Sequence, residues 1–343
     1  MWICHNGIRR AKVGKSFAPV KMCIPGVPVM MSMRKREWSI GKKEIAYVLE
    51  NWLLAFISIT LDKEHDNMRS LFEPLVSNGY TLQTAPERLG WLEPTDAGLP
   101  LAQLRETYRQ NGYLWLKGFF DRDVILDFHR FFFETILSGT KTFFEIISSQ
   151  EYEDFCTMPR LWDFYQEFLE GQPYLHKRKI IRFTQPGEDH CTGGHYDLIY
   201  LRAGTDRFCT SWIPLCDTPV EMGGLVYLEH SDAVGRQVEA EFRVKNANLP
   251  PEERISAFNR NMRENGWIST NLVEMADRFR SRWLIADYEA GDMVIHSPYM
   301  IHAATLNHDP LDRSRLSTDI RYQRVDDPID PRWAQNWVLG DDL

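Results

Sequence analysis

The sequence lacks any run of the roughly 18 apolar residues that a membrane-spanning helix needs. Its best candidate, Ala46 to Thr60, is short and carries Glu50 and Asn51, which suits an amphipathic helix instead. It also lacks a C-x-x-C pair: Cys4, Cys23, Cys156, Cys191, Cys209 and Cys216 are scattered. The disulfide framework of a small secreted domain is therefore not indicated. Reduced thiols packed as small hydrophobes fit better, and with them a reducing, cytoplasmic setting. Basic excess is missing as well. A net charge of −8 argues against a general nucleic-acid binder. Internal repeats and low-complexity tracts are absent too.

What is present suits an ordinary globular chain. With 343 residues, 43% of them hydrophobic, there is enough apolar material for a sizeable core in one large domain or two small ones. Eleven Trp within a 13% aromatic content suggest a substantial apolar interior or pocket. Residues 1–45 differ from the rest. Up to Lys43 they hold ten Lys and Arg against a single acid, Glu37, with few serines. That composition fits a disordered basic arm better than a Ser-rich transit peptide. Organelle targeting, or a start at Met33 or Met68, are the alternatives.

Helical spacing runs from Glu44 to about Leu75 through Ile45, Val48, Leu49, Trp52, Leu53 and Phe56. Tyr80 to Pro100 reads as a connection. Leu101 to Gln110 is a predicted helix, ended by Asn111-Gly112, and Tyr113 to Gly118 a predicted strand. Asp121 then caps a helix through Val124, Ile125, Phe128, Phe131 and Phe132. From Lys179 the texture changes. Strands are predicted at Lys179–Gln185, His195–Arg202, Phe208–Leu215, Gly224–Glu229, Met293–His296, Met300–Thr305 and Leu316–Arg324. Such spacing suggests an antiparallel sandwich or barrel. Between Ala233 and Ala286 the pattern is helical and charged, most clearly from Pro251 to Met275. It reads either as an insertion over the barrel mouth or as a plain surface helix pair.

Chemistry concentrates in Gly193-Gly194-His195-Tyr196-Asp197. On a strand successive side chains alternate, so His195 and Asp197 share a face. One imidazole and one carboxylate are two thirds of the facial triad that holds non-haem Fe(II). The third member must be a histidine from a distant strand. His302 is the best candidate: Gly291-Asp292 makes a turn, an apolar strand follows, and the histidine emerges after a bend at Ser297-Pro298. Such a triad leaves positions for a chelating cosubstrate and O2. Downstream, Arg315 and Ser317 share a strand face in the same way. A guanidinium fork plus a hydroxyl suits the far carboxylate of a dicarboxylic acid, which suggests 2-oxoglutarate. Each piece alone is common, and a lone histidine at a strand end is more often structural. Their order and separation carry the signal.

Beside them stand Pro186-Gly187, Thr192, Trp212, Asp217, Met222 to Leu225, Asn307 and the run from Arg315 to Gln323. Over roughly residues 100–340, the chain resembles the phytanoyl-CoA dioxygenase family of Fe(II)/2-oxoglutarate oxygenases. The resemblance implies a mainly β, α+β fold: a double-stranded β-helix (jelly-roll) core at about 179–325, N-terminal helices and a helical insertion at about 233–286. These would form a single domain over 46–343. It also implies Fe(II) on His195, Asp197 and His302, with 2-oxoglutarate anchored by Arg315. Because Asp197 is present, hydroxylation, desaturation or ring formation is favoured over halogenation, whose enzymes lack that carboxylate.

Three features depart from the family pattern. His230-Ser231-Asp232 stands where Gly-Ser-His is usual. The gap from His302 to the anchoring arginine is longer than is common, which makes Arg313 a rival to Arg315. Arg315 is preferred for its R-x-S pair and its distance to Tyr322. Residues 1–60 have no counterpart. Nearby groups carry plainer expectations. His296 reads as a core histidine and His190 as a loop residue. Arg182 and Thr184 either touch the keto-acid end of the cosubstrate or are structural. Trp212 lines the barrel or is simply core, and Arg321 contacts substrate or pairs with Asp319. The competing functions are a cupin-type metal enzyme without 2-oxoglutarate, a non-catalytic jelly-roll binding protein, and an oxygenase of protein or nucleic acid. Acidity and aromatic content tilt towards a small, partly apolar substrate, with no nucleic-acid or membrane partner.

Overall fold

The computed structural model describes residues 74–251, 253–255 and 267–338. The basic arm and nearly all of the helix expected from Glu44 to Leu75 lie outside them. So do residues 252 and 256–266 of the helical run expected from Pro251 to Met275. The described chain opens with a hairpin, β1 (Val76–Ser77) and β2 (Tyr80–Thr81). Its turn is Asn78-Gly79, both at positive φ, the chemistry that a two-residue hairpin requires. Then come β3 (Leu89–Trp91), α1 (Leu101–Asn111) and β4 (Tyr113–Leu116). Gly112 ends α1 in the left-handed conformation, which a side chain would resist. Asp121 caps α2 (Arg122–Ser138), accepting from the Asp123 amide. Short helices α3 (Phe143–Ile147), α4 (Gln150–Cys156) and α5 (Pro159–Phe168) follow, then β5 (Pro173–Leu175) and β6 (Ile180–Thr184).

The second half supplies α6 (Leu198–Leu201), β7 (Phe208–Pro214), β8 (Leu225–Leu228), α7 (Ser231–Lys245) and α8 (Leu272–Phe279). Strands β9 (Trp283–Ile285), β10 (Met293–His296), β11 (His302–Ala304) and β12 (Arg315–Arg324) complete it. Two sheets result. The larger runs β4-β10-β7-β12-β5, with β6 also on β12; the smaller runs β11-β8-β9-β3. Every pair is antiparallel except β3 with β9. This is the jelly-roll core with flanking helices that the strand pattern and resemblance foretold. No helix of the described residues is long and apolar enough to cross a membrane.

Strand alternation decides what lies on each side of the large sheet. Leu114, Leu116, Cys209, Ile213, Met293, Ile295, Leu316, Ile320 and Tyr322 face outward. There they pack with Ile125, Phe128, Tyr152 and Tyr165 of the helices in one buried cluster. Tyr165 stacks on Tyr322 with ring centroids 4.1 Å apart. The alternate residues face into the roll, and many are polar: Thr210, His296, Arg315, Ser317, Asp319 and Arg321 are all buried. A sheet with its apolar side under helices and its polar side inward is built to hold a site rather than a second oily layer.

The strand expected at His195–Arg202 does not form. His195 makes a single bridge with His302, and the chain turns at once into α6. The sheets also reach beyond the expected core of 179–325, because β3, β4 and β5 join them. Strand β9 falls inside the span read as a helical insertion. Three-residue strands carry too little periodicity to be seen in advance.

One contact places α7. A Cβ on Gly235 would lie 2.0 Å from the Tyr299 carbonyl oxygen, so the helix backbone rests directly on the turn that precedes His302. Gly235→Ala is expected to destabilise the protein by about 1–3 kcal/mol through overpacking. The readout is a melting temperature lowered by several degrees; an unchanged value would show that the turn yields freely.

Candidate active site

His195 and His302 are brought together by backbone. The two residues exchange both hydrogen bonds of an antiparallel pair, at 3.0 and 2.9 Å, and their rings lie 4.2 Å apart. Two glycines just before His195 let the chain pass close against the segment from Trp267 to Met275. A Cβ on Gly194 would lie 2.4 Å from Met275 Sδ, and one on Gly193 would lie 2.7 Å from the Trp267 ring. After His195, Tyr196 turns away and donates its hydroxyl to Glu239. Asp197 has helical φ and ψ at the head of α6. It thus shares a side with His195 because the chain bends into a helix, not because a strand alternates.

Each histidine donates Nδ1–H to a nearby carbonyl: His195 to Gly193 at 2.8 Å, His302 to Met300 at 2.9 Å. That fixes the tautomer and leaves both Nε2 atoms as lone-pair donors. Both Nε2 atoms are 3.7 Å from Asp197 Oδ1. The three ligand atoms lie within 4.8 Å of one another. Asp197 Oδ1 is buried and has no hydrogen-bond partner. Its sister Oδ2 is crowded, accepting from Thr210 Oγ1, from Arg321 Nη2 at 3.1 Å and from His296 Nε2 at 3.3 Å.

Protonation states suit a cation. Burial pushes His195 down to about 4, with Asp197 only partly opposing it. Burial, with His195 and His296 beside it, lowers His302 as well. For Asp197 burial works against the charge, yet Arg321 and the hydrogen bond from His296 prevail and hold the carboxyl well below its usual range. Two neutral imidazoles and one carboxylate, with an unsatisfied oxygen between them, are the donor set of a 2-His-1-carboxylate centre. The residues present fit Fe(II).

A second deficit lies along β12. Arg315 is buried, donating to Thr184 Oγ1 at 2.8 Å and to the Gly223 carbonyl. Its Nε has no partner, and neither has the buried Ser317 Oγ. No carboxylate among the described residues pairs with Arg315. Burial accordingly lowers its pKa. Arg313, the rival anchor, points elsewhere: Asp309 holds it with two contacts of 2.9 Å. A buried guanidinium without a counter-ion, beside a hydroxyl without a partner, fits a ligand carboxylate.

The remaining candidates sort as follows. Arg182 pairs with Asp319, and Thr184 is the partner of Arg315. Arg321 serves Asp197 rather than Asp319, with its guanidinium 4.6 Å over the Trp333 ring. Trp212 is 1% exposed and packs against Tyr288, ring centroids 4.7 Å apart. His190 sits half-exposed beside Asp189 in its loop. His296 is fully buried, as a core histidine should be, but it also touches Asp197. Sequence reasoning missed Thr210, Tyr227 and Tyr200, whose ring lies 5.6 Å from His195. Only Thr210 left a trace, as a polar residue two before Trp212 on the same strand face.

A family profile described as "Phytanoyl-CoA dioxygenase (PhyH)" matches residues 108–314, more than half of the chain. The chain belongs to the phytanoyl-CoA dioxygenase family. Fe(II) and 2-oxoglutarate are the cofactor and cosubstrate of this family's oxygenases; the His195, Asp197 and His302 cluster lies inside the matched residues, and Arg315 and Ser317 follow directly after them. No curated protein matches the chain. Among solved structures, EctD from S. alaskensis with bound Fe is similar at 14% identity and TM-score 0.50, over 76% of this chain and 90% of that one. That likeness shows the shared fold. The non-heme alpha ketoglutarate dependent carbocyclase SnoK is 18% identical at TM-score 0.49, over 70% and 90% of the two chains. The epimerase SnoN, solved with Fe3+, alpha ketoglutarate and nogalamycin RO, is 18% identical at TM-score 0.48, over 67% and 86%.

The lowered histidines make stability depend on pH. His176, buried and bonded to Gln323 at 2.8 Å, is also pushed down to about 4. An unfolded chain takes up these protons near 6.5, whereas the fold refuses them until about 4. Stability is therefore complete above about pH 6.5 and is lost as pH falls towards 4. Melting temperatures of metal-free protein should fall across that window, and His176→Gln should flatten the fall. A profile identical in the variant would contradict the assignment.

Proposed function

We propose that the protein is a non-haem Fe(II)- and 2-oxoglutarate-dependent dioxygenase that oxidises a small organic molecule, most simply by hydroxylation. The observation that carries this reading is the unpartnered Asp197 Oδ1, buried between two imidazole Nε2 atoms. Other buried atoms also lack a partner, but this one is a carboxylate oxygen facing two imidazole lone pairs, an arrangement that only a shared cation would satisfy. The unpaired Arg315 and Ser317 supply the reason to include 2-oxoglutarate. A metal enzyme that did not use a dicarboxylate would have no need of that buried cation. The triad is at most 5% exposed, which suits a small substrate better than a protein or nucleic-acid chain.

When bound together, Fe(II), 2-oxoglutarate and O2 supply an oxidant for C–H bonds, releasing succinate and CO2. The protein's share is positioning. His195, Asp197 and His302 would hold the metal from one side and leave the other side open. Arg315 Nε and Ser317 Oγ would take the distal carboxylate of the cosubstrate, fixing the direction in which its keto-acid end points. Thr184 holds Arg315 in place from β6. Tyr200 and the buried aromatic residues around the site limit water. The carboxylate of Asp197 favours hydroxylation, desaturation or ring formation over halogenation.

Under anaerobic conditions, adding Fe(II) and 2-oxoglutarate should produce a weak visible charge-transfer band. His195→Ala and Asp197→Ala should abolish it, and a band surviving both changes would refute the triad. Arg315→Met removes a buried, uncompensated charge of similar volume. Its metal-free melting temperature should match or exceed that of the wild type. In the presence of Fe(II), 2-oxoglutarate should raise the melting temperature of the wild type but not of Arg315→Met. Equal stabilisation of both proteins would move the anchor elsewhere.

A further inference from the structure

His296 has both ring nitrogens engaged, and neither is offered to a metal. Nδ1 lies 2.8 Å from the Tyr227 hydroxyl and Nε2 lies 3.3 Å from Asp197 Oδ2. An ionised carboxylate only accepts, so Nε2 carries the hydrogen. With that hydrogen on Nε2, the lone pair at Nδ1 accepts from the Tyr227 hydroxyl. The direction of the chain is thereby fixed: Tyr227 donates to His296, and His296 donates to Asp197. Thr210 and Arg321 donate to the same Oδ2, and no donor reaches Oδ1.

We propose that His296, oriented by Tyr227, is a positioning residue that holds the Asp197 carboxylate so that Oδ1 alone faces the His195 and His302 nitrogens. The proposal rests on the Fe(II) reading given above and deepens it. Arg321 and His296 divide the work. The guanidinium, buried and stacked on Trp333, supplies the charge that keeps Asp197 ionised. The imidazole supplies direction, because a ring locked at both nitrogens cannot follow a rotating carboxylate. The lock spans both sheets. Tyr227 on β8 is the register partner of His302, and Tyr113 on β4 is the register partner of His296. The two tyrosine rings stack at 5.5 Å, and the His296 and His302 rings lie 4.3 Å apart. A shift of one sheet against the other would therefore turn the carboxylate. Without the lock, Thr210 and Arg321 alone would hold Oδ2, and the carboxylate would turn more readily to present both oxygens.

The test is an anaerobic Fe(II) titration of the full-length protein against a coloured chelator, with the charge-transfer band of the Fe(II)/2-oxoglutarate complex as a second readout. His296→Phe removes the donor and should weaken Fe(II) binding about 10- to 100-fold, the usual effect of losing a partner of a metal ligand. It should also shift or weaken the band. His296→Gln restores an N–H near the same place and should recover most of the affinity. Tyr227→Phe, nearly isosteric, should give a smaller loss of the same sign and decides the matter if His296→Phe does not fold. Wild-type affinity and band in folded His296→Phe, or in Tyr227→Phe where that variant decides, would overturn the proposal alone. Failure of the wild type to bind Fe(II) would overturn the metal reading, and this proposal with it.

Discussion

The carboxylate of Asp197 is buried, charged and satisfied at only one oxygen, and its surroundings are arranged around that condition. Taking a carboxylate out of water costs several kcal/mol unless charge and hydrogen bonds compensate. Arg321 gives the charge; Thr210 and His296 complete the bonding at Oδ2. Each of these comes from a different strand of the large sheet. The three contacts to Asp197 depend on β7, β10 and β12 being held in register beside one another. The site is thus a product of sheet assembly rather than an ornament on it.

The Arg315 position shows the opposite economy. Its guanidinium is buried with two hydrogen bonds and no counter-ion, and Ser317 beside it has none. Neither choice favours the folded chain in isolation. Proteins tolerate such local losses where a ligand supplies what is missing. The helical layer on the other face of β12, with Leu316, Ile320 and Tyr322 in a continuous apolar cluster, provides the stability that offsets them.

Much of this was legible in the residues themselves. The Gly-Gly-His-x-Asp text, the turn and strand before His302, and the R-x-S spacing all act locally, and the fold brings His195, Asp197 and His302 together and sets Arg315 and Ser317 on one face of β12. The strand expected across His195 shows how a right grouping can rest on a wrong cause: helix φ and ψ at Asp197, not alternation, aim the carboxylate. What stayed hidden depends on register between strands far apart in sequence. Thr210 and Tyr227 reach the site because β7 lies beside β12 and β8 beside β11, and a single sequence does not state those pairings. The odd turn at His230-Ser231-Asp232 is explained the same way. His230 adopts a left-handed backbone, and Ser231 bonds to Ile301, one residue before His302.

Strand β12 carries Arg315, Ser317, Asp319, Arg321 and Gln323 on one face and Leu316, Thr318, Ile320 and Tyr322 on the other. Slipping its pairing by one residue would exchange the two sets. Three charged side chains, Arg315, Asp319 and Arg321, would then enter the layer under the helices, and the interior would lose them together with Ser317 at the same step. A misregistered molecule would be grossly unstable, not merely inactive. In the cell such chains would be removed by quality control, so the folded population would consist of molecules whose site is already assembled.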